Sequence, residues 1–215
     1  GLVGSEMCIR DSQSWMWKRG QGLDTVCYTG NGVAGHTIRH SLSTTPEMIW
    51  CKERDGTGSW WVYHKGLDGG NEPWTHYMVL DTNVAEDDYP IWNDTAPTST
   101  HFTIGSHGEI NGSSDTYIAM LFSSVTGVSK CGYHTCDAGN TTLTMGFQPR
   151  FLMLKNITSS STPWVVIDSL RGINPGVGVN TPVLNFNSTT AQTNYTFVNS
   201  ISSSGLVITA GQGER

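Results

Sequence analysis

Seven histidines and a scatter of carboxylates are the side chains whose types could do chemistry. Their spacing decides which. His36 and His40 stand four apart, an interval that on a helix places two imidazoles on one zinc ion. Zincin chemistry also needs a Glu after the first His as general base, and Thr37 follows here. The segment reads as a strand, so the expectation is surface or half-buried histidines. Glu53 and Asp55 would share one strand face, and glycoside hydrolysis asks for two carboxylates about 5 to 10 Å apart. Asp55 precedes Gly56, however, and reads as a hairpin tip; a third acid is missing. Glu86-Asp87-Asp88 lacks the alternating order of an EF-hand loop and reads as a solvated loop. Asp168, Ser169 and His134 have the residue types of a nucleophilic triad, but no G-x-S-x-G elbow frames a serine. The reading is of a non-enzyme with no metal and no cofactor.

Recognition by aromatic rings is the remaining activity. Trp60, Trp74 and Tyr77 fall at or near loop ends, among Asn, Asp and hydroxyl neighbours. An aromatic face stacks on the C–H face of a sugar while polar neighbours bond its hydroxyls. The three are the candidate glycan contacts; the competing reading is that they close the end of a domain or pack on a neighbouring subunit.

These residues need a frame. In 215 residues only 14% are charged, and Gly, Ser, Thr and Asn are abundant, which suits short strands and tight turns over long charged helices. The formal net charge of −6 supplies too little positive field for a run of phosphates, so nucleic acid is not an expected partner. Apolar stretches fall far short of the ~20 residues that span a bilayer, and no membrane insertion is expected. Strands are predicted at residues 24–29, 36–40, 48–52, 60–64, 77–80, 102–104 and 116–123, with Asn31-Gly32, Asp55-Gly56, Asp68-Gly69-Gly70 and Asn111-Gly112 as turns. A turn of helix fits after Asp68 or near 84–88.

PEMIWCK at 46–52 is matched by PRFLMLK at 149–155, 103 residues later, and the same offset aligns Trp61 with Trp164, Val62 with Val165 and Leu67 with Leu170. Small indels align Ile38 with Leu143, Leu80 with Leu184, Trp92 with Phe197, and Gly108-Glu109 with Gly213-Glu214. Positions apolar in both copies are expected in the core; Trp60 meets only Pro163. The fold class expected is all-β: two tandem antiparallel β-sandwich repeats of jelly-roll or concanavalin-like type, the first over 13–128 and the second over 129–215. The second lacks a counterpart to the strand Thr116 to Ser123, which predicts an unpaired sheet edge and an uncovered piece of core, filled by continuing chain or a partner subunit. Because Trp61 and Val62 point to opposite faces, that strand must be covered on both sides.

The opening GLVGSEMCIRDS lacks the basic and apolar regions of a secretory signal. It resembles translated sequencing adapter, so residues 1–12 are read as non-native and the chain as a fragment from an environmental assembly. The cysteines, Cys8, Cys27, Cys51, Cys131 and Cys136, form no C-x-x-C pair and no disulfide framework; Cys27 and Cys51 are expected as small buried hydrophobes. Six N-x-S/T sequons, at Asn93, Asn111, Asn140, Asn156, Asn187 and Asn194, are read as turn markers.

The run from WKRGQGLDTVCYTGNG through WWVYHKGL, then WNDTAPTSTHFTIGSHGEINGSSDTYIAMLF, resembles the tandem repeat of phage tail-fibre and virion structural proteins of marine type. FLMLKNITSSSTPWVVIDSL resembles its partner repeat, and there is a looser likeness to concanavalin-like and SPRY sandwiches. The Cys131 and Cys136 region reads as an insertion relative to that pattern. The resemblance implies virion localisation in a tail or fibre, a scaffold or host-surface glycan adhesin, other virion proteins as partners, and a homo-oligomer, trimeric by analogy with fibres. It carries over no catalytic or ligand residues. The rivals are a bacterial carbohydrate-binding module and a concanavalin-like glycoside hydrolase.

Overall fold

The structure is a computed structural model that describes residues 18–135 and 139–209. The adapter-like segment 1–12 with Cys8, Cys136, and the Gly213-Glu214 match lie outside the described residues.

Alternating side chains and glycine turns build strands almost throughout. In chain order they are β1 (Leu23–Thr29), β2 (His36–Arg39), β3 (Met48–Glu53), β4 (Trp61–His64), β5 (His76–Val79), β6 (Asp87–Asp88), β7 (His101–Ile104) and β8 (Thr116–Phe122) in the first half. The second half has β9 (Thr141–Thr144), β10 (Phe151–Leu154), β11 (Val165–Asp168), β12 (Thr181–Asn185), β13 (Thr193–Tyr195), β14 (Val198–Ser202) and β15 (Gly205–Ile208). Among the described residues helix is confined to one turn, α1 (Gly108–Asn111), and to 3₁₀ turns at Leu67–Gly70, Pro73–Thr75 and Pro90–Trp92. The turn of helix expected after Asp68 is thus present one residue early, whereas Asp87 and Asp88 form a short strand. The seven strands expected in the first half all form, with ends shifted by one residue or so.

The protein is an all-β fold in which every strand pair is antiparallel. A six-stranded sheet (β1-β8-β3-β4-β5-β6) faces the pair β2-β7; a four-stranded sheet (β10-β11-β12-β13) faces a three-stranded one (β14-β15-β9). Alternation then assigns the cores. Ile49, Cys51, Trp61, Tyr63, Ala119 and Leu121 meet Ile38, Phe102 and Ile104 in the first. Val165, Ile167 and Val183 meet Val198, Leu206 and Ile208 in the second. The opposite faces of the two larger sheets share a third: Trp50, Val62, Met78 and Leu80 on one side, Trp164, Met153 and Phe186 on the other. Both faces of β4 are covered, as expected, and its outer cover is the other half of the chain.

Strand registers correct the sequence alignment. Cys51 pairs with Trp61 in the β3-β4 hairpin, and Leu154 pairs with Val165 in the β10-β11 hairpin. The place of Trp61 is therefore held by Val165, and Trp164 stands where Trp60 stands. Trp61 faces the first core and Trp164 the shared one. The cause is one extra residue in the second hairpin loop. With a side-chain period of two, one residue of slip moves every side chain to the other face. The same slip unmakes the Leu67–Leu170 match: Leu67 is fully buried and Leu170 is 87% exposed. Likewise Leu80, whose N–H donates to Trp60 O, corresponds to Phe186, whose N–H donates to Trp164 O, and not to Leu184.

Cys51 is fully buried, as expected, but Cys27 is exposed. It lies on the outer face of β1, at the edge of its sheet, where no second layer covers it among the described residues. Asn111 departs from the turn-marker reading too. It is fully buried, its Nδ2 donating to Val33 O (2.9 Å) and Gly105 O (2.7 Å) while Oδ1 accepts from Asn31 N–H (2.9 Å), so it knots three loops together.

Candidate functional site

Trp74 and Tyr77 lie on the flank of the first core, both half-buried against it, whereas Trp60 packs on the shared core across the sheet. The structure therefore brings Trp74 and Tyr77 to one side and places Trp60 on the other. The Trp60 backbone N–H donates to Asp81 Oδ1 (2.9 Å), a contact repeated by Trp164 and Asn187 (2.9 Å).

Around Tyr77 a small aromatic cluster forms. β4 delivers Trp61, whose ring centroid lies 4.8 Å from that of Tyr77 and 4.8 Å from that of His107. His107 meets Tyr89 edge-on, 5.9 Å between centroids. The frame under these rings is fixed by backbone geometry. Gly105 N–H donates to Ile91 O (2.8 Å), and a Cβ on Gly105 would sit 2.1 Å from Pro90 O. Only glycine lets β7 and the Pro90–Trp92 turn approach this closely, which sets Tyr89 and His107 side by side. His107 caps α1 through Nδ1, which accepts Glu109 N–H (3.3 Å). Glu109 Oε2 in turn accepts Trp61 Nε1–H (3.0 Å) and Ser59 N–H (3.0 Å). The Glu109 carboxylate thus ties Trp61 and the Ser59 backbone to α1.

Its outer rim is polar. Tyr77 donates to Asp87 Oδ2 (3.4 Å), and Asp87 and Asp88 are exposed beside Tyr89, itself 50% exposed. Burial, followed by the Asp87 carboxylate, raises the Tyr77 phenol above its ordinary pKa. It remains a hydroxyl donor at neutral pH. Half-exposed ring faces beside carboxylates and an imidazole can stack on a sugar ring and bond its hydroxyls. Sequence reading selected Tyr77 and Trp74 and missed Tyr89 and His107. The signal for Tyr89 was its place directly before Pro90; nothing local marked His107.

The other candidate chemistry is dispersed. Asp55 accepts from Thr116 Oγ1 (2.6 Å), while the Glu53 carboxylate folds over Gly56, filling the space a Cβ there would need. Glu86 accepts Asp68 N–H (2.7 Å), separating it from Asp87 and Asp88. His36 Nδ1 lies 3.2 Å from Asn111 Oδ1 and His40 Nε2 lies 3.1 Å from Thr98 O. Among the described residues no group of three or more His, Cys, Asp or Glu side chains is placed to hold a metal ion.

The family described as a domain of unknown function (DUF7483) matches residues 14–214. The chain belongs to that family. The match runs through both halves, so the family unit includes the core they share. No curated protein and no solved structure matches the chain. Among the described residues of this DUF7483 chain, no helix is long and apolar enough to cross a membrane.

Proposed function

We propose that the chain is a non-catalytic structural module of a phage tail fibre or virion surface, whose first half presents a glycan contact at Tyr77, Tyr89 and His107. One observation carries the contact: these rings and the exposed Asp87 and Asp88 converge on one side of the molecule, above a frame that the Glu109 carboxylate ties to Trp61. The tandem-repeat resemblance supports the virion role, and the contact shared by Trp60 and Trp164 fits a doubled unit. Presented several times in an oligomer, a trimer by analogy with fibres, a weak single contact becomes avid because later contacts are intramolecular.

The glycosidase alternative is disfavoured by the separate engagement of Glu53 and Asp55. A bacterial carbohydrate-binding module would use the same aromatic side and differ only in its setting. A glycan-array screen of the wild-type chain and of Tyr89→Ala tests the contact. Binding of a glycan class by the wild type, lost in the variant, is the expected result. Uniform absence of binding overturns the glycan contact and leaves scaffold as the role.

A further inference from the structure

The two halves divide their charge unevenly. Between residues 139 and 209 Asp168 is the single acidic residue, against Arg150, Lys155 and Arg171, in a chain whose formal net charge is −6. Asp168 is buried and engaged: Oδ1 accepts Leu170 N–H (2.9 Å) and Arg171 N–H (3.0 Å), and Oδ2 pairs with the Arg171 guanidinium. Lys155 is tied into its own hairpin loop. Arg150 is the remaining cation. It is exposed, and among the described residues no carboxylate lies within ion-pair reach of it.

The first half shows what this place holds when its charge is paired. Lys65 N–H donates to Glu47 O as Ser169 N–H donates to Arg150 O, both at 2.8 Å, so Arg150 holds the place of Glu47 and Ser169 that of Lys65. Glu47 gives its carboxylate to Lys65 Nζ and to the N–H (2.6 Å) and hydroxyl of Ser124. Arg150 and Ser169 cannot make such a pair. Beside them lies an open groove of about 660 Å³, within the range of about 300 to 1,000 Å³ usual for small-ligand sites.

Polar side chains from three segments border the groove: Gln148 and Arg150 before β10, Ser169 after β11, and Asn174. Its apolar wall is Ile173 and Ile201, which rest on the second core. The turn after β11 shapes that wall. Asp168 gathers its N–H groups, and Gly172, at a φ of +106° that favours glycine, donates its N–H to Asp168 O (3.2 Å). Asn174 is held by donation from Nδ2 to Asn180 O (3.0 Å), and its Oδ1 lies over Gly172, 3.3 Å from where a Cβ there would stand. The amide therefore offers an acceptor on the groove side. A guanidinium matches a carboxylate in two parallel hydrogen bonds, while hydroxyl and amide groups beside an aliphatic wall suit a ring that is polar at its edge and apolar on its face.

We propose that this groove is a second binding site, for an acidic sugar of the uronic type. The carboxylate sits on Arg150, ring hydroxyls on Gln148, Ser169 and Asn174 Oδ1, and the C–H face on Ile173 and Ile201. The site stands apart from the contact at Tyr77, Tyr89 and His107, where the exposed Asp87 and Asp88 repel the same charge.

The test follows backbone amide shifts of the full chain by NMR during titration with methyl glucuronide. Methyl glucoside, with CH₂OH in place of the carboxylate, and inorganic phosphate are the comparison arms. The expected result is saturable shifts at Ser169, Gly172 and Ile173, with affinity weakened about tenfold or more in Arg150→Ala or for the glucoside, and reduced by added salt. Gln148→Glu, which sets a carboxylate at the rim, abolishes binding. Both side chains are exposed, so both variants keep the wild-type Tm. Shifts at these amides with none at Tyr77 or Tyr89 keep the result separate from the first-half contact, whose failure on a glycan array leaves this site standing. The proposal is overturned if the glucuronide gives no saturable shift here, if its shifts fall at Tyr77 and Tyr89 instead, or if Arg150→Ala or the glucoside binds as well. Inorganic phosphate giving the same shifts with equal affinity also overturns it, since the groove would then read an oxyanion and not a sugar.

Discussion

The two halves close alike with different residues. At the places of Trp61 and Tyr77 in the first half the second has Val165 and Val183, both buried in its core. The hairpins repeat their contacts: Lys52 Nζ donates to Glu53 O (2.7 Å) and Gly56 O (2.9 Å), and Lys155 Nζ to Asn156 O (2.8 Å) and Ser159 O (3.3 Å). Aliphatic side chains therefore suffice to close this frame. The large rings of the first half exceed what closure requires, which is the physical reason to read their exposed side as a place for contact. The second half departs in the opposite sense, toward holding its neighbour. Trp164 Nε1–H donates to Val79 O (2.9 Å), Lys155 Nζ also donates to Asn83 O (3.2 Å), and Asn187 Nδ2 donates to Asn83 Oδ1 (2.6 Å).

The sharpest way to break the comparison is to remove its tryptophans. Trp164→Ala leaves a cavity in the shared core and an unpaired carbonyl at Val79, and urea unfolding should show a loss of about 3 to 5 kcal/mol. Trp60→Ala, at the matched place but half-exposed, should lose less than half of that. Equal losses would mean that the shared core does not favour either side.

Acid should separate the halves next. Burial, then the neighbouring Lys65 charge, pushes the His64 imidazole down to about 4. It is neutral in the folded chain below the pH at which the unfolded chain, titrating near 6.5, takes a proton. Stability is therefore lost as pH falls from about 6.5 to 4, by up to about 3 kcal/mol. Glu47 adds to this at lower pH: burial works to raise its pKa, but Lys65 and Ser124 outweigh it and hold it low, so its contribution goes as pH falls through that depressed value. The register puts Asp168 where His64 stands, bonded to Arg171 and to two backbone N–H groups. Hydrogen exchange at pH 5 against pH 7 should loosen β3 and β4 more than β10 and β11, and His64→Gln should flatten the difference.

Two smaller effects sharpen the picture. Asn187→Ala and Asp81→Ala each strip the acceptor from a tryptophan N–H. Chemical denaturation should show about 1 kcal/mol for each, with Asn187 the larger because it also reaches Asn83. Tyr89→Ala should change stability by less than about 0.5 kcal/mol while removing glycan binding; a large loss of stability instead would make Tyr89 a structural ring.

The sequence alone determined seven of the eight strands of the first half and most of the turns between them, because period-two alternation and Asn-Gly or Asp-Gly steps are local signals that survive without tertiary context. It determined too that β4 must be covered on both faces, since Trp61 and Val62 are adjacent. What it left open was register and neighbourhood. An offset of 103 pairs two tryptophans by identity, yet one extra loop residue sends them to opposite faces, and only ladder hydrogen bonds count such a residue. His107 joined the site for the same reason: its partners Trp61 and Tyr89 come from distant strands and a turn, brought together by Gly105 passing close to Pro90. That the outer cover of the first sheet is the second half itself was likewise decided in three dimensions. Each apolar sheet face shows in the sequence, whereas the surface it packs against is chosen by the shape and twist of the whole chain.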